Sequence, residues 1–435
     1  MMNLNNRKVA VLGAGRSGRA AARLATKQGA GDVCLFDSSS TVGDMPEDIR
    51  IVAGATEEDG RNYGADLVII SPGIETDCSF ARSFVESAQE LIGELEFSYR
   101  FYSGKIIAIT GTNGKTTTTS LVEKILIKAG KKALACGNYG IPLSELLLNE
   151  DVPEILSLEA SSFQLETVKE FHADVAVWLN FAPDHMDRYK SEEDYYNDKL
   201  HIFDRQTSAD FAIVRVGERL PPLRAKVETF GSFDDSGTLS FVDGWIYEQG
   251  EPLLDLRGSL MEQKHNAENV MAALLACRAV GVALPIIQET VREFTPPGHR
   301  CEIVSQLDGV IWMNDSKSTN LHSTEAALRS QTAPVILIAG GKDKGLDYSP
   351  VLPLLQEKAR ACIVFGQIAD QLYHEFSPVI TTRKASSVGE CVAIARELAC
   401  SGDVVLFSPG TSSFDMFSSY VERGQVFRDA VKQLQ

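Results

Sequence analysis

The run Lys105-Ile106-Ile107-Ala108-Ile109-Thr110-Gly111-Thr112-Asn113-Gly114-Lys115-Thr116 decides the fold. Residues 105–110 read as a buried strand and 115–129 as a helix, with a glycine loop between them. A strand that feeds a helix through such a loop makes a phosphate cradle, because backbone N–H groups and the positive helix end converge there. Lys115 is spaced to reach the β/γ oxygens of a nucleotide, and the Thr116 hydroxyl to ligate Mg²⁺. Only Thr112 and Asn113 separate Gly111 from Gly114-Lys115, where the Walker pattern has four residues. A purely structural turn would have no use for Lys-Thr at the helix start.

On both sides of this run, short β-branched segments alternate with helical patterns, the signature of α/β domains with parallel sheets. Strands are expected at 7–12, 32–37 and 66–70, with an Ala-rich helix at 18–29. Strands at 154–159 and 174–180 follow the glycine loop. Residues 205–260 turn into short alternating pieces broken by Asp235-Ser236-Gly237 and Asp243-Gly244, read as a β-rich extension of the central block. A helix over 266–281 is apolar on nearly every side and should be buried. After the linker Thr295-Pro296-Pro297-Gly298, strands are expected at 309–314, 335–340, 361–365, 378–382 and 403–408. The expectation is an α/β protein of three domains: 1–93, 94–298 and 299–435.

Composition fits that picture. A chain of 435 residues has room for two to four domains, and 44% hydrophobic with 23% charged residues excludes disordered, collagen-like and membrane classes. A net charge of −17 argues against non-specific binding to nucleic acid or an anionic membrane, yet permits a small anion held by local N–H groups. There is no run of 18 apolar residues and no signal-peptide pattern at the start. The eight cysteines form no CxxC pair, so a zinc ribbon and a thioredoxin motif are excluded and a reduced, cytoplasmic protein is expected.

Three more groups of residues carry chemistry. Gly13-Ala14-Gly15-Arg16-Ser17-Gly18, with Asp37 ending the next strand, fits a loop that admits a diphosphate. NAD and other diphosphate nucleotides both fit it. In the central block, Glu159 ends one strand and His185, in Ala182-Pro183-Asp184-His185-Met186-Asp187, follows another. Both belong on the carboxyl edge of the sheet, where a carboxylate and an imidazole could hold Mg²⁺; Glu166 and Asp187 are blander carboxylates. Lys199 lies in a helical segment and has no role by spacing alone. In the third block, Asn314-Asp315-Ser316-Lys317-Ser318-Thr319-Asn320, Gly340-Gly341-Lys342-Asp343-Lys344 and Ser408-Pro409-Gly410-Thr411-Ser412-Ser413 all follow strands. Their donors Lys317, Thr319, Lys344 and Ser413 suit a small dicarboxylate or a phosphate.

Taken in order, 109–116, Glu159-Ala160-Ser161-Ser162-Phe163-Gln164-Leu165, 184–189, His265-Asn266-Ala267-Glu268-Asn269 and Gly298-His299-Arg300 resemble the Mur ligases over the whole chain. The 314–320 loop and the Gly13–Gly18 start are similar to the branch of that family that adds D-glutamate. The resemblance implies a Rossmann-like N-terminal domain for a UDP-sugar, a central P-loop domain for ATP, and a Rossmann-like C-terminal domain for the amino acid. It implies ligation of D-glutamate to UDP-N-acetylmuramoyl-L-alanine through an acyl-phosphate, and it favours UDP over NAD at the first loop; a monomer without nucleic-acid or membrane partners is expected.

By the same resemblance, Arg16, Ser17, Asp37, Ser38, Gly73 and Asn138 match positions around the UDP-sugar. Gly111, Thr112, Asn113, Gly114, Lys115, Thr116, Thr117, Asn269, Arg300 and Asp315 match ATP positions. Thr116 and Glu159 are implied ligands of one Mg²⁺, and Glu159, His185 and a carbamylated Lys199 of a second. Lys115, His185 and Lys199 are the implied catalytic set, while Lys317, Thr319, Lys344, Ser413, Phe414 and Tyr420 surround D-glutamate. Tyr139 stands where the family has an aliphatic residue, and Phe414 and Tyr420 stand where relatives often have Leu and Phe. The rival classes are an NAD-dependent oxidoreductase, which leaves the central loop unexplained, and a non-catalytic nucleotide sensor, which leaves the metal-type residues unexplained.

Overall fold

The computed structural model describes residues 2–42, 49–86, 88–186, 188–232, 236–299 and 301–434. Its first sheet comprises β1 (Lys8–Leu12), β2 (Asp32–Asp37), β3 (Arg50–Ala53), β4 (Leu67–Ile70) and β5 (Glu90–Gly93). All five are parallel, in the order β3-β2-β1-β4-β5. Val9, Ala10, Val11 and Leu12 are fully buried, as an unbroken apolar strand covered on both faces should be. The strand order reverses at β1, so the loop after it opens at a switch point, where α/β sheets take ligands.

The second sheet is built from β6 (Lys105–Thr110), β7 (Ala133–Gly137), β8 (Ile155–Glu159), β9 (Val175–Trp178), β10 (Phe211–Arg215), β11 (Lys226–Gly231), β12 (Leu239–Val242), β13 (Trp245–Glu248) and β14 (Glu251–Asp255). Its order is β14-β13-β12-β11-β10-β9-β6-β8-β7, parallel from β7 to β12 and antiparallel over the last two pairings. The β-rich stretch is thus an extension of the central sheet itself. One face packs on the helices Lys115–Lys128 and Lys264–Ala279, burying Ile107, Ile109, Leu121, Ile125, Val270 and Leu274 together. The other face shares a core with the first sheet, where Val9, Val11, Leu35 and Ile69 meet Ile106, Ala108 and Trp178.

The third sheet contains β15 (Glu302–Leu307), β16 (Val310–Asn314), β17 (Val335–Gly340), β18 (Ala359–Phe365), β19 (Thr382–Lys384) and β20 (Val404–Phe407), in the order β15-β16-β20-β17-β18-β19. Only β15 runs antiparallel to its neighbour. The strand expected at 378–382 begins at Thr382 instead. Val379 and Ile380 donate their N–H groups to the Phe376 carbonyl and so close the helix Ala369–Phe376. Four strands were not anticipated: β3, β5, β7 and β15.

The chain forms two compact units. The first contains 1–181, 193–262 and 266–294, with both of the first two sheets; the second contains 182–192, 263–265 and 295–435. Within the first unit, Glu94 and Glu96 are fully buried on the short helix Glu94–Tyr99. Glu94 accepts from the Ser144 N–H at 2.7 Å, and Glu96 accepts from the N–H groups of Lys169, Glu170 and Phe171 and from Arg100 Nε. Two carboxylates therefore tie the end of the first sheet to the second. Among the described residues no helix is long and apolar enough to cross a membrane.

Candidate active site

In the first unit, the phosphate loop is held from beneath. Asn180, just past β9, accepts from the Asn113 N–H through Oδ1 at 2.8 Å and donates to the Asn113 carbonyl at 3.1 Å. Its own carbonyl accepts from the Thr112 N–H. Gly114 has φ +85, and a Cβ there would lie 2.2 Å from Asn269 Oδ1, so only glycine fits. Asn269 in turn accepts from Thr118 Oγ1 at 3.2 Å. This loop-supporting position is where the geometry puts an expected ATP contact. Lys115 Nζ lies 2.8 Å from the carbonyl oxygens of both Gly111 and Thr112, folded over the cradle. Thr116 and Thr117 are buried at the helix start.

Glu159, at the end of β8, is 1% exposed. One carboxylate oxygen accepts from Asn138 Nδ2 at 2.7 Å, and the other is buried without a hydrogen-bond partner among the described residues. An orphaned carboxylate oxygen in a water-poor position is costly unless a cation or donor meets it. Lys199, also 1% exposed, donates to the Gly111 carbonyl at 3.0 Å and lies 4.6 Å over the Tyr195 ring. A buried lysine this close to the phosphate loop is not a solvated surface charge. Glu166 accepts from the Thr76 hydroxyl, the use expected of a structural carboxylate.

At the first glycine loop, Asp37 Oδ2 accepts from the Ala14 N–H at 2.6 Å and Oδ1 from the Ser39 N–H at 2.8 Å. Arg16 forks onto Glu145 at 2.7 and 3.0 Å and donates to the Gly140 carbonyl at 3.2 Å. The loop that carries Asn138 is thereby brought to Arg16. Ser17 lies in the first turn of the helix Arg16–Lys27, and Ser38 and Gly73 are exposed beyond β2 and β4.

In the second unit, His185 has φ +59, rare for a residue with a Cβ, and its N–H donates to Asp184 Oδ1 at 2.8 Å. Asp184 is buried and also accepts from Asn320 Nδ2 at 2.8 Å and from Lys344 Nζ at 3.3 Å. Burial works against its charge, but His185, Lys344 and these donors win, holding the carboxyl below its usual range. Asp184 is a junction that the sequence reading did not single out. Lys344 also donates to the Thr319 carbonyl at 3.2 Å, and Lys317 Nζ sits 4.0 Å over the Tyr420 ring. Asp315 accepts from the Cys301 N–H, Ser318 Oγ and Ser408 Oγ, so its carboxylate organises the loop from inside. Ser413 is buried, while Phe414 is 68% exposed. Arg300 and Asp187 lie outside the described residues.

Two sheets therefore present polar loops at strand ends: one with a nucleotide-type cradle and a buried acid, one with lysines and hydroxyls suited to a small anion. That is the class of an α/β nucleotide-using enzyme. Residues 109–237 match the Mur ligase middle domain, and 299–410 the Mur ligase glutamate ligase domain. The chain is 37% identical to the UDP-N-acetylmuramoylalanine–D-glutamate ligase of Pelobacter propionicus, covering all of both chains. It is 36% identical to the ligase of the same name from Trichlorobacter lovleyi, again covering all of both. The chain belongs to the Mur ligase family. Among solved structures, its fold is similar to UDP-N-acetylmuramate-alanine ligase from Thermotoga maritima, with TM-score 0.64, 17% identity and coverage of 99% of this chain and 100% of that one. The MurF ligase of Thermotoga maritima in complex with ADP gives TM-score 0.64 at 16% identity, covering 99% of this chain and 96% of that one.

Proposed function

We propose that the chain joins D-glutamate to UDP-N-acetylmuramoyl-L-alanine with ATP, a step in peptidoglycan precursor synthesis that yields UDP-N-acetylmuramoyl-L-alanyl-D-glutamate, ADP and phosphate. The observation that carries the reading is the phosphate loop with Lys115, fed by a strand whose Ile109 pairs with Glu159, an acid whose buried Oε2 has no hydrogen-bond partner among the described residues. The full-length relatives supply the substrates. We assign residues 1–93 to the UDP-sugar in a Rossmann-like domain, 94–298 to ATP in a P-loop domain, and 299–435 to D-glutamate in a second Rossmann-like domain.

In this reading the alanyl carboxylate attacks the γ-phosphorus of ATP, the bond to the β-phosphate oxygen breaks, and ADP leaves. Lys115 swings from the loop carbonyls to the phosphate oxygens and spreads the developing charge. The amine of D-glutamate then adds to the acyl-phosphate carbonyl, loses a proton, and phosphate departs as the amide forms. Lys317, Thr319, Lys344 and Ser413 hold the carboxylates of the amino acid, with Phe414 and Tyr420 beside them.

The donor set suits Mg²⁺. Thr116 and Glu159 would hold one ion, and Glu159 with His185 and a carbamylated Lys199 a second. Bound Mg²⁺ would neutralise phosphate charge. Carbamylation would convert the Lys199 ammonium, a donor that repels cations, into a carboxylate-like acceptor. For His185 we prefer metal ligation to proton acceptance.

The test is phosphate release from ATP and Mg²⁺ with UDP-N-acetylmuramoyl-L-alanine alone, with D-glutamate, and with L-glutamate. Release that depends on D-glutamate, with the matching mass gain in the sugar nucleotide, is expected. Release without any amino acid dependence, or none at all, would sink the substrate assignment.

A further inference from the structure

Behind the third-sheet loops lies a buried cation that the reaction scheme above does not use. Arg423, in the helix Tyr420–Lys432, is completely buried. Among the described residues its guanidinium donates only to neutral oxygens: Nε to Ser316 Oγ at 3.1 Å, Nη2 to the Ser316 carbonyl at 2.8 Å, and Nη1 to the Thr411 carbonyl at 3.0 Å. Among the described residues no carboxylate lies within ion-pair distance of it, although Asp415 and Asp315 act on it from further away. Loss of solvent pushes its pKa down to about 10, so it remains charged at pH 7.

Taking a charge out of water without an opposite charge in contact is expensive, and a methionine of similar length would fill the space without that cost. What the cation touches suggests its use. Ser316 immediately precedes Lys317, and Ser316 Oγ donates to the Tyr420 carbonyl at 2.8 Å. Thr411 lies two residues before Ser413. A Cβ on Gly341 would sit 3.1 Å from Arg423 Nη1 and 2.3 Å from the Ser412 carbonyl, so the loop that leads to Lys344 also passes directly against the guanidinium. One side chain thus bonds to two of the three loops to which the amino-acid contacts were assigned and packs against the third, and it puts beneath them a positive charge that Asp415 and Asp315 answer only from a distance, in a medium that screens poorly.

We propose that Arg423 is the specificity-positioning residue of the amino-acid site: its buried charge, transmitted through the Ser316 and Thr411 loops, makes the site select an amino acid with a second carboxylate over its neutral amide. This rests on the assignment of D-glutamate to these loops. Arg423 touches no substrate in this scheme; it sets loop position and potential.

The experiment is competition between D-glutamate and D-glutamine in one reaction with the full-length enzyme, with products resolved by mass. The preference for D-glutamate is expected to fall at least tenfold in Arg423→Met and Arg423→Gln. KM for ATP and for the sugar nucleotide should stay within about threefold. Arg423→Lys, which keeps the charge but loses the fork, should retain most of the preference while KM for both amino acids rises. Two neutral variants are named so that the folding of either suffices. Equal losses for the two amino acids in a folded neutral variant would overturn the proposal and leave Arg423 as a strut. If the wild-type enzyme shows no release dependent on D-glutamate, the functional reading fails first, and that result is separate from the variant comparison.

Discussion

The molecule uses the same local grammar twice, a strand, a glycine loop and a helix, and does different things with it. After β6, the loop amides are braced by Asn180 and the cradle is crossed by the Lys115 ammonium. After β1, the Ala14 amide is already occupied by the Asp37 carboxylate, and the loop itself holds no lysine. The first arrangement offers positive charge to a phosphate. The second places a negative charge at the loop and leaves Arg16, at its rim, as the cation nearest in sequence. A glycine pattern therefore establishes that the backbone turns tightly, and the flanking charged side chains decide what it can receive.

The largest test of this contrast is Lys115→Ala. If the ammonium is the element that makes the β6 loop catalytic, phosphate release should fall about 10³-fold, or about 4 kcal/mol, while thermal stability stays close to wild type. Activity within tenfold of wild type would remove Lys115 from charge stabilisation.

The next test separates two glycines within the first loop. A Cβ on Gly18 would sit 1.9 Å from the Gly13 carbonyl oxygen, a backbone atom with nowhere to go. Gly18→Ala should therefore cost about 3 kcal/mol or more of stability in a melting experiment. Gly15 has no atom of the described residues within 4 Å of the place a methyl would take, and an ordinary φ of −69°. Gly15→Ala should leave the melting temperature within about 2 °C and act, if the diphosphate approaches there, only on KM for the sugar nucleotide. An unchanged KM would mean that Gly15 is not a point of approach.

A smaller effect is expected at Asp37. Its two oxygens serve the Ala14 and Ser39 amides, so Asp37→Ala should destabilise the first unit by about 2 kcal/mol through lost charge-assisted hydrogen bonds. If removing the carboxylate instead tightened binding of inorganic diphosphate, Asp37 would be the group that keeps this loop from acting as a second phosphate cradle.

These contrasts also mark how far the sequence could be read. The two glycine loops, Lys115 and Glu159 were legible because each depends on contiguous residues and on the rule that ligand sites lie at strand ends. Asn180, Asp184 and Arg423 were not, since their partners lie 67, 136 and 107 residues away and only folding brings them together. Glu94 and Glu96 have the composition of a surface helix, yet both are buried because Ser144 and the amides of 169–171 supply their donors. β3 and β7 went unread because Arg50, Lys131 and Lys132 interrupt or flank their apolar pattern, whereas hydrogen bonding to β2 and β8 supplies what local sequence lacks. The strand at Thr382–Lys384 was placed too early because Val379 and Ile380 are β-branched, but the preceding helix takes up their amides.

The smallest expected effect concerns the cation at the rim of the first loop. Arg16 and Glu145 form a forked pair, but their side chains are 59% and 36% exposed, so water and salt screen much of the attraction. Glu145→Gln should change stability by less than about 1 kcal/mol. The pair can matter more for geometry than for energy, because the fork fixes the plane of the guanidinium while the Gly140 carbonyl takes a further N–H. If Arg16 receives the diphosphate in that orientation, Glu145→Gln should raise KM for the sugar nucleotide a few-fold without altering kcat, and Arg16→Lys, which cannot fork, should do the same. A fall in KM would carry the opposite meaning: Glu145 would then compete with the diphosphate for Arg16, and the first loop would become a cradle once that carboxylate is neutralised.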